Sequence, residues 1–176
     1  MWAACPCFGS RQKKILGDTF LAFRIRPWRK SARKRLVAHA RYYFFDTGVT
    51  NSLAHTLGRE LNPATRGRRF EQLVITQILA AIEYGRLDHQ LWYWRTNTGA
   101  EVDLLICRGQ RILAAVEIKS SRRPGSEPLS GLRSFRTEHP RVPAFVLGIG
   151  IRERLLGENT TAMSWDRFIN DILPTL

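Results

Sequence analysis

The sequence predicts a mixed α/β fold that consists of a helix, a three-stranded antiparallel meander, a second helix and a buried strand, preceded by a basic N-terminal arm. Three features predict it. Apolar residues recur at helical spacing over residues 69–84, two strand-like arms in residues 101–119 are joined at a glycine, and residues 142–149 are continuously apolar. A chain of 176 residues is long enough for one domain with its own hydrophobic core.

Positive charge is concentrated near the N-terminus. The chain has a formal net charge of +13, and the segment from Arg11 to Arg41 contains eleven lysines or arginines and one acid, whereas residues 42–176 carry a net charge of only +3. We therefore divide the chain into residues 1–14, which are expected to be disordered or foreign to the domain, a basic arm over residues 15–41, and a domain over residues 42–176. Such an excess of charge indicates a polyanionic partner, such as nucleic acid.

A basic run inside this arm is the candidate nucleic-acid contact. Its side chains would hold phosphates without reading the base sequence, although a solvated loop would have the same composition. The run consists of Arg29, Lys30, Arg33, Lys34 and Arg35. Trp28, which precedes the run, is a candidate for stacking on a base.

The cysteines and the hydropathy pattern indicate in which cellular compartment the protein is expected. Cys5, Cys7 and Cys107 form an odd and sparse set, which argues against a disulfide framework and for a reducing environment. No apolar run is long enough to span a bilayer, and the first ten residues lack the basic start of a signal peptide. We therefore expect a cytoplasmic protein that does not enter a membrane.

The first elements of the chain are predicted to be two strands and a short helix. Residues 18–28 alternate in polarity from Phe23 to Arg26, which predicts a strand that ends at Pro27. Residues 41–45 have the composition of a short aromatic strand, and either Asp46 or Thr47 is placed to cap a helix that would run to Leu57. Residues 62–69 contain proline and glycine and are predicted to be a loop.

The clearest helix covers residues 69–84. Glu71 lies in line with Ile75, Ile78 and Ile82, on or beside the apolar stripe that would face the core. An unpaired acid is unfavourable in that position. One interpretation is a first-turn glutamate that the helix dipole stabilises. The other is a third acid close to the charged residues of the hairpin described below.

The later elements follow from hydrophobic spacing. Residues 90–95 are predicted to form an aromatic strand, and residues 128–138 have the spacing of a helix. Residues 160–163 are predicted to be a short strand. Residues 164–173 are predicted to be a closing helix that is capped by Ser164.

The predicted hairpin contains the charged residues that indicate chemistry. Asp103, Glu117 and Lys119 interrupt its apolar arms, and Glu117 and Lys119 share a face because side chains alternate along a strand. A three-residue loop at residues 108–110 would place Asp103 opposite Ala115 and diagonal to Glu117. Diagonal neighbours lie about 7–8 Å apart, which is close enough for two carboxylates to share a cation.

Two carboxylates and an amine on a half-buried sheet face favour a site for Mg²⁺ or Mn²⁺. A divalent cation would remove both the repulsion between the acids and their unpaired charge. Asp103 and Glu117 would bind the cation together with water and substrate phosphate, and Lys119 would orient water or stabilise phosphoryl oxygens. The alternative is an ion pair between Lys119 and one acid on a solvated sheet face.

The order of elements, with an acid on the first helix and the spacing D-x(13)-E-x-K, resembles the PD-(D/E)XK nuclease superfamily, with Val102-Asp103 in place of the usual Pro-Asp. Over about residues 15–173 the sequence more closely resembles the uncharacterised C-terminal domain that follows an AAA-type ATPase module in many prokaryotic proteins. The segments that carry this resemblance are Asp18-Thr-Phe-Leu, Arg33-Lys-Arg-Leu-Val, Tyr43-Phe-Phe-Asp-Thr-Gly, Phe70-Glu71, Tyr93-Trp-Arg-Thr, Gly99-Ala-Glu-Val-Asp and Glu117-Ile-Lys-Ser-Ser.

This resemblance implies a restriction-endonuclease-like core with a metal-dependent site. In it, Asp103 and Glu117 are metal ligands, Lys119 is the catalytic lysine, and Glu71 orients water or binds the metal through water. It also implies a phosphate contact for Arg95 and a winged-helix remnant in the basic arm. The chain has no G-x(4)-G-K-[ST] loop and therefore no ATP site of that kind, so an AAA-type ATPase partner would be a separate chain.

Two functions of different classes are compatible with these features. The first is a metal-dependent endonuclease that acts on nucleic-acid phosphodiesters. The second is a catalytically inactive module that docks nucleic acid or protein on behalf of a separate ATPase. Binding of Mg²⁺ or Mn²⁺ is the property that separates them.

Overall fold

The computed structural model describes residues 9–28, 39–121 and 129–176, within which eight strands form one mixed sheet flanked by helices. The predicted α/β class is therefore confirmed. The strands are Ala22–Pro27 (β1), Arg41–Phe44 (β2), Gln90–Arg95 (β3), Glu101–Arg108 (β4), Arg111–Lys119 (β5), Ala144–Gly148 (β6), Arg154–Gly157 (β7) and Thr160–Ser164 (β8). The helices are Ser10–Asp18 (α1), Thr47–Leu53 (α2), Pro63–Tyr84 (α3), Ser130–Glu138 (α4) and Trp165–Arg167 (α5), followed by a π-helical turn, Phe168–Ile172, and a 3₁₀ turn, Leu173–Thr175.

The strands are arranged in the order β2-β1-β3-β4-β5-β6-β8-β7. Strands β3, β4 and β5 form the predicted antiparallel meander. Strand β1 lies parallel to β3, and β6 lies parallel to both β5 and β8. Strand β1 lies within residues 15–41, the predicted basic arm, so the sheet includes part of that arm.

The hairpin of β4 and β5 lies between two helices. Helix α3 packs on one face of the sheet through residues such as Ile75 and Ile78, and α4 packs on the other face through Leu132 and Phe135. The five residues of β6 are all buried, as predicted for a strand that is covered on both sides. The predicted order of helix, three strands, helix and buried strand is therefore present as α3, β3 to β5, α4 and β6.

Helix α3 begins earlier than predicted. The Thr65 amide donates a 2.8 Å hydrogen bond to Asn62 Oδ1, and Pro63 occupies the first turn, where its missing N–H leaves no helical hydrogen bond unmade. The loop predicted over residues 62–69 is therefore wrong. Glu71 lies in the third turn, so its interpretation as a first-turn acid stabilised by the helix dipole is also wrong.

Other boundaries also differ from the prediction. Residues 10–14, for which the sequence predicts no regular element, belong to α1. Helix α2 ends at Leu53 rather than Leu57, since His55 adopts a left-handed conformation with a φ of +54°. The closing helix is α-helical only over Trp165–Arg167 before it widens into the π-helical turn. Strand β7 is mostly exposed and so lacks the apolar pattern that would have predicted it.

The helices are amphipathic. On α3, Val74, Ile75 and Ile78 are fully buried, whereas Gln77 and Glu83 are exposed on the other side. In the described parts of the chain, no helix combines the length and the apolar character that crossing a membrane requires.

Candidate functional site

The turn between β4 and β5 is tighter than predicted. It consists of Gly109 and Gln110, and Arg108 lies opposite Arg111. Gly109 has a φ of +57°, a conformation that two-residue hairpin turns require and that glycine adopts without strain. The predicted three-residue loop at residues 108–110 is therefore wrong.

A β-bulge in β5 shifts the pairing of β4 and β5 by one residue shortly after this turn. One additional residue of β5, Leu113, shifts the pairing, so Leu105 rather than Asp103 lies opposite Ala115. The predicted pairing of Asp103 with Ala115 is wrong for this reason. The ladder ends one pair later, and the next residues beyond it are Asp103 on β4 and Glu117 on β5.

Asp103 also lies in an irregularity between β3 and β4. The pairing shifts there, so that Asp103 and Leu104 are both opposite Tyr93. Bulges of this kind redirect side chains and are frequent next to functional sites. The Ile118 amide of β5 donates a 2.9 Å hydrogen bond to Asp103 Oδ2. The Asp103 carboxylate is thus held in the gap beyond the last β4–β5 pair.

Glu117 is a buried acid with one unpaired oxygen. Its side chain is 8% exposed, and its Oε1 lies 2.7 Å from Lys119 Nζ. Its Oε2 is buried and has no hydrogen-bond partner among the described residues. Leaving such an oxygen unpaired costs about 1–3 kcal/mol. The ion pair of the alternative interpretation is therefore present, but its acid is buried rather than solvated.

The environment disfavours the charged forms of both hairpin acids. Burial, together with the charges of Glu117 and Glu71, raises the pKa of Asp103 to about 8. Burial also raises the pKa of Glu117, although Lys119 opposes the effect. A cation at this point would offset the desolvation and the repulsion at once.

Lys119 is a partly exposed cation next to these acids. Burial lowers the pKa of Lys119, but the carboxylates of Glu117, Asp103 and Glu71 outweigh burial and raise it above its ordinary value. Its ammonium group is therefore charged at neutral pH. It can donate hydrogen bonds and stabilise negative charge, but it cannot act as a base.

Glu71 reaches the same cluster from α3. It accepts a 2.8 Å hydrogen bond from the Tyr43 hydroxyl, and its Oε1 lies 3.8 Å from Arg41 NH1. Burial and the charge of Glu71 raise the pKa of Tyr43, so the hydroxyl stays protonated and donates. The structure thus brings Glu71, Asp103, Glu117 and Lys119 together, and the charge of each acid acts on Lys119.

Arg41 is a central residue of the site that no sequence pattern singled out. It is only 4% exposed, forms an ion pair with Glu101, and places its guanidinium carbon 4.3 Å from the centroid of the Tyr93 ring. Glu101 also lies 3.6 Å from the exposed guanidinium of Arg95. The one available signal was a charged residue at the start of an aromatic strand. Arg41 connects the acids of β4 and α3.

The predicted nucleic-acid contacts are only partly within the described residues. Arg29, Lys30, Arg33, Lys34 and Arg35 lie outside them. Arg95 is described, and its side chain is 52% exposed. Trp28 packs edge to face on His139 with the ring centroids 5.2 Å apart, and its amide donates to the Tyr93 carbonyl at 2.7 Å. Trp28 therefore contributes to packing.

The carboxylates of the hairpin are the side chains that could hold a metal ion. In residues 9–28, 39–121 and 129–176, no group of three or more His, Cys, Asp or Glu side chains is arranged to hold one. The hairpin offers two carboxylates, and the unpaired Glu117 Oε2 can still accept a ligand. Mg²⁺ and Mn²⁺ prefer carboxylate oxygens, and one or two carboxylates commonly suffice when water and phosphate complete the shell. The residues present fit that arrangement.

Comparison with known proteins gives a family and one distant structural likeness. The family model described as "Domain of unknown function (DUF4143)" matches residues 66–168, which is more than half of the chain. No curated protein matches. A solved structure, the refined half-complex from a tetradecameric assembly of Thermococcus gammatolerans McrB AAA+ hexamers with bound McrC, has a TM-score of 0.42 and 9% sequence identity. That match covers 56% of this chain and 27% of the other.

Proposed function

We propose that this chain, which belongs to the DUF4143 family, is a metal-dependent hydrolase of nucleic-acid phosphodiesters with a restriction-endonuclease-like core. One observation carries the proposal: Lys119 pairs with Glu117 at 2.7 Å within reach of the charges of Asp103 and Glu71, and the buried Oε2 of Glu117 has no partner among the described residues. Burial and neighbouring acids raise the pKa of Asp103 and of Glu117, so the charged forms of these two side chains are costly to the fold. Such clusters occur preferentially at functional sites.

The roles follow from the positions of the four side chains. Asp103 and Glu117 would hold Mg²⁺ or Mn²⁺, and the bound cation would acidify a water molecule and neutralise charge on the scissile phosphate. The Ile118 amide fixes the Asp103 carboxylate in place. Lys119 donates hydrogen bonds to a phosphoryl oxygen, where negative charge accumulates. Glu71, held by Tyr43 and Arg41, orients the attacking water.

Isothermal titration with Mn²⁺ tests the metal site directly. We expect the wild-type protein to bind Mn²⁺, and Glu117→Gln to lose at least tenfold in affinity because the variant lacks the negative charge of the buried ligand. Glu83→Gln, an exposed change on α3, serves as the matched control and should bind as the wild type does. Equal binding by all three proteins would remove Glu117 from the site.

Cleavage of plasmid and single-stranded DNA in Mg²⁺ or Mn²⁺ tests the activity. Asp103→Asn and Lys119→Met should abolish cleavage while the proteins remain folded by circular dichroism. At subsaturating Mg²⁺, cleavage should increase with pH, because the proton of Asp103 competes with the cation for a carboxylate whose pKa is raised by burial and by neighbouring acids. Cleavage that survives both substitutions would come from a contaminant or from another site.

A second candidate function is the inactive docking module for a separate ATPase. Exposed apolar side chains at one end of β1 and β2 favour it: Phe20 is 87% exposed, Phe45 47% and Leu21 44%. The resemblance to domains that follow AAA-type ATPase modules suggests the class of partner. A folded protein that shows no heat with Mn²⁺ and no cleavage would support this function over the first.

A further inference from the structure

A cleft between β2 and α3 lies directly beside Glu71. The charged residues of its lining are mostly basic. Arg41, Arg68 and Arg69 border the cleft, and Glu71 is the acid among its lining residues. Arg41 is already engaged by Glu101 and Glu71. The two arginines of α3 therefore give the cleft its positive character.

Arg68 and Arg69 are held in place by neutral partners. Arg69 Nε donates a 2.6 Å hydrogen bond to Asn51 Oδ1, and Arg68 NH2 lies 3.3 Å from the Thr65 hydroxyl. Neither guanidinium forms an ion pair with an acid in the described parts of the chain. Arg69 is thus oriented by a short hydrogen bond, and neither arginine has its charge balanced by an acid among the described residues.

The local electrostatics are unfavourable without an anion. Burial, followed by the charge of Arg68, lowers the pKa of Arg69. The charge of the exposed Arg68 repels the neighbouring guanidinium group of Arg69, which is partly buried and has lost some of its hydration. A bound anion would reverse both effects. A phosphate suits this place better than a single carboxylate, because two planar guanidinium groups can each donate to its several oxygens.

We propose that the cleft lined by Arg68 and Arg69 binds a backbone phosphate of the nucleic-acid strand that enters the hydrolytic site. The inference rests on the proposed function, since Glu71 borders both the cleft and the acid cluster. It adds a substrate subsite on α3 that lies apart from the basic run at residues 29–35. Such a contact positions the strand without reading its sequence.

Fluorescence anisotropy with a labelled single-stranded oligonucleotide in EDTA tests this subsite without cleavage. The double variant Arg68→Gln/Arg69→Gln should bind about tenfold more weakly at moderate salt, and the slope of log affinity against log salt should fall by about 0.7 because the contact with one phosphate is lost. The matched control is Arg152→Gln/Arg154→Gln, which removes the same charge near β7, at the edge of the sheet opposite to β2. The control should change the slope by less than half as much.

Two further measurements make the outcomes distinct. The α3 double variant should bind Mn²⁺ as tightly as the wild type does. If the wild type itself binds no Mn²⁺, that result contradicts the proposed hydrolase, whereas the anisotropy measurement still tests the cleft. Tripolyphosphate should compete with the oligonucleotide for the wild type more strongly than polyglutamate does. Equal competition by polyglutamate, or an unchanged salt slope in the double variant, would overturn the proposal.

Discussion

Replacing Asp103 with asparagine should make the protein more stable at neutral and mildly alkaline pH. The carboxyl group of Asp103 is raised to a pKa of about 8, first by burial and then by Glu117 and Glu71. Asparagine keeps an oxygen that accepts the Ile118 amide hydrogen bond and removes the charge that burial penalises. The variant would therefore lose the proposed metal ligand and gain stability, as is common for residues kept for function.

The sign and size of the effect follow from proton linkage. The unfolded chain releases the Asp103 proton near the ordinary pKa of 3.8, whereas the folded chain keeps it to about pH 8. Between these values the folded state binds more protons, so the free energy of unfolding falls by about 1.4 kcal/mol for each pH unit. From about pH 5 to about pH 8 the free energy of unfolding of the wild type should fall by about 3–4 kcal/mol relative to that of Asp103→Asn. This is an upper value, because the titrations of Asp103 and Glu117 are coupled.

Urea unfolding of both proteins in EDTA at a series of pH values measures this difference. Titrating groups far from Asp103 act equally on both proteins, so the gap between the two stability curves reports Asp103 together with the groups coupled to it. The gap should widen as the pH rises and level off above about pH 8. Parallel curves, or a variant less stable than the wild type at about pH 8, would falsify the assignment of a buried, repelled carboxylate at this position.

Four further substitutions test the packing around the site. Arg41→Ala removes a buried guanidinium and should cost about 3–5 kcal/mol in urea unfolding, and a loss below about 1 kcal/mol would contradict its place in the network. Tyr43→Phe should cost about 1–3 kcal/mol because Glu71 loses a hydrogen bond, and it should lower cleavage while Mn²⁺ affinity changes little. Gly131→Ala places a methyl group against the β4 backbone and should destabilise the protein by about 1–3 kcal/mol. Gly67→Ala meets no close contact in α3 and should stabilise it by about 0.5–1 kcal/mol, so similar thermal midpoints for the two glycine variants would refute this packing.

The sequence was sufficient for the order of elements, because that order depends on hydrophobic period. The stripe of α3 and the unbroken apolar run of β6 both correspond to observed elements. The start of α3 was missed because Pro63 and Gly67 resemble loop residues when the Asn62 cap is not recognised. Strand β7 was missed because an exposed edge strand has no apolar pattern to detect.

The residues of the candidate site were also found from sequence, but their geometry was not. Acids inside apolar strands and helices are conspicuous, so Asp103, Glu117 and Glu71 could be selected by type and spacing. Arg41 was missed because its importance lies in contacts with residues distant in sequence. The register was wrong because a bulge at Leu113 depends on packing against both faces of the sheet, which no local pattern reports.

The two irregularities of β4 and β5 explain why a costly charge cluster forms at this point. A two-residue turn without the extra residue in β5 would bring Asp103 level with the apolar Val116, whereas the bulge brings it level with Glu117. The second irregularity, opposite Tyr93, redirects the Asp103 side chain toward the Ile118 amide. Burial by α3 and α4 on the two faces of the hairpin stabilises both departures from regular pairing. The same burial raises the pKa of Asp103 and Glu117, so the packing that holds the site together also disfavours the charged forms of these two acids.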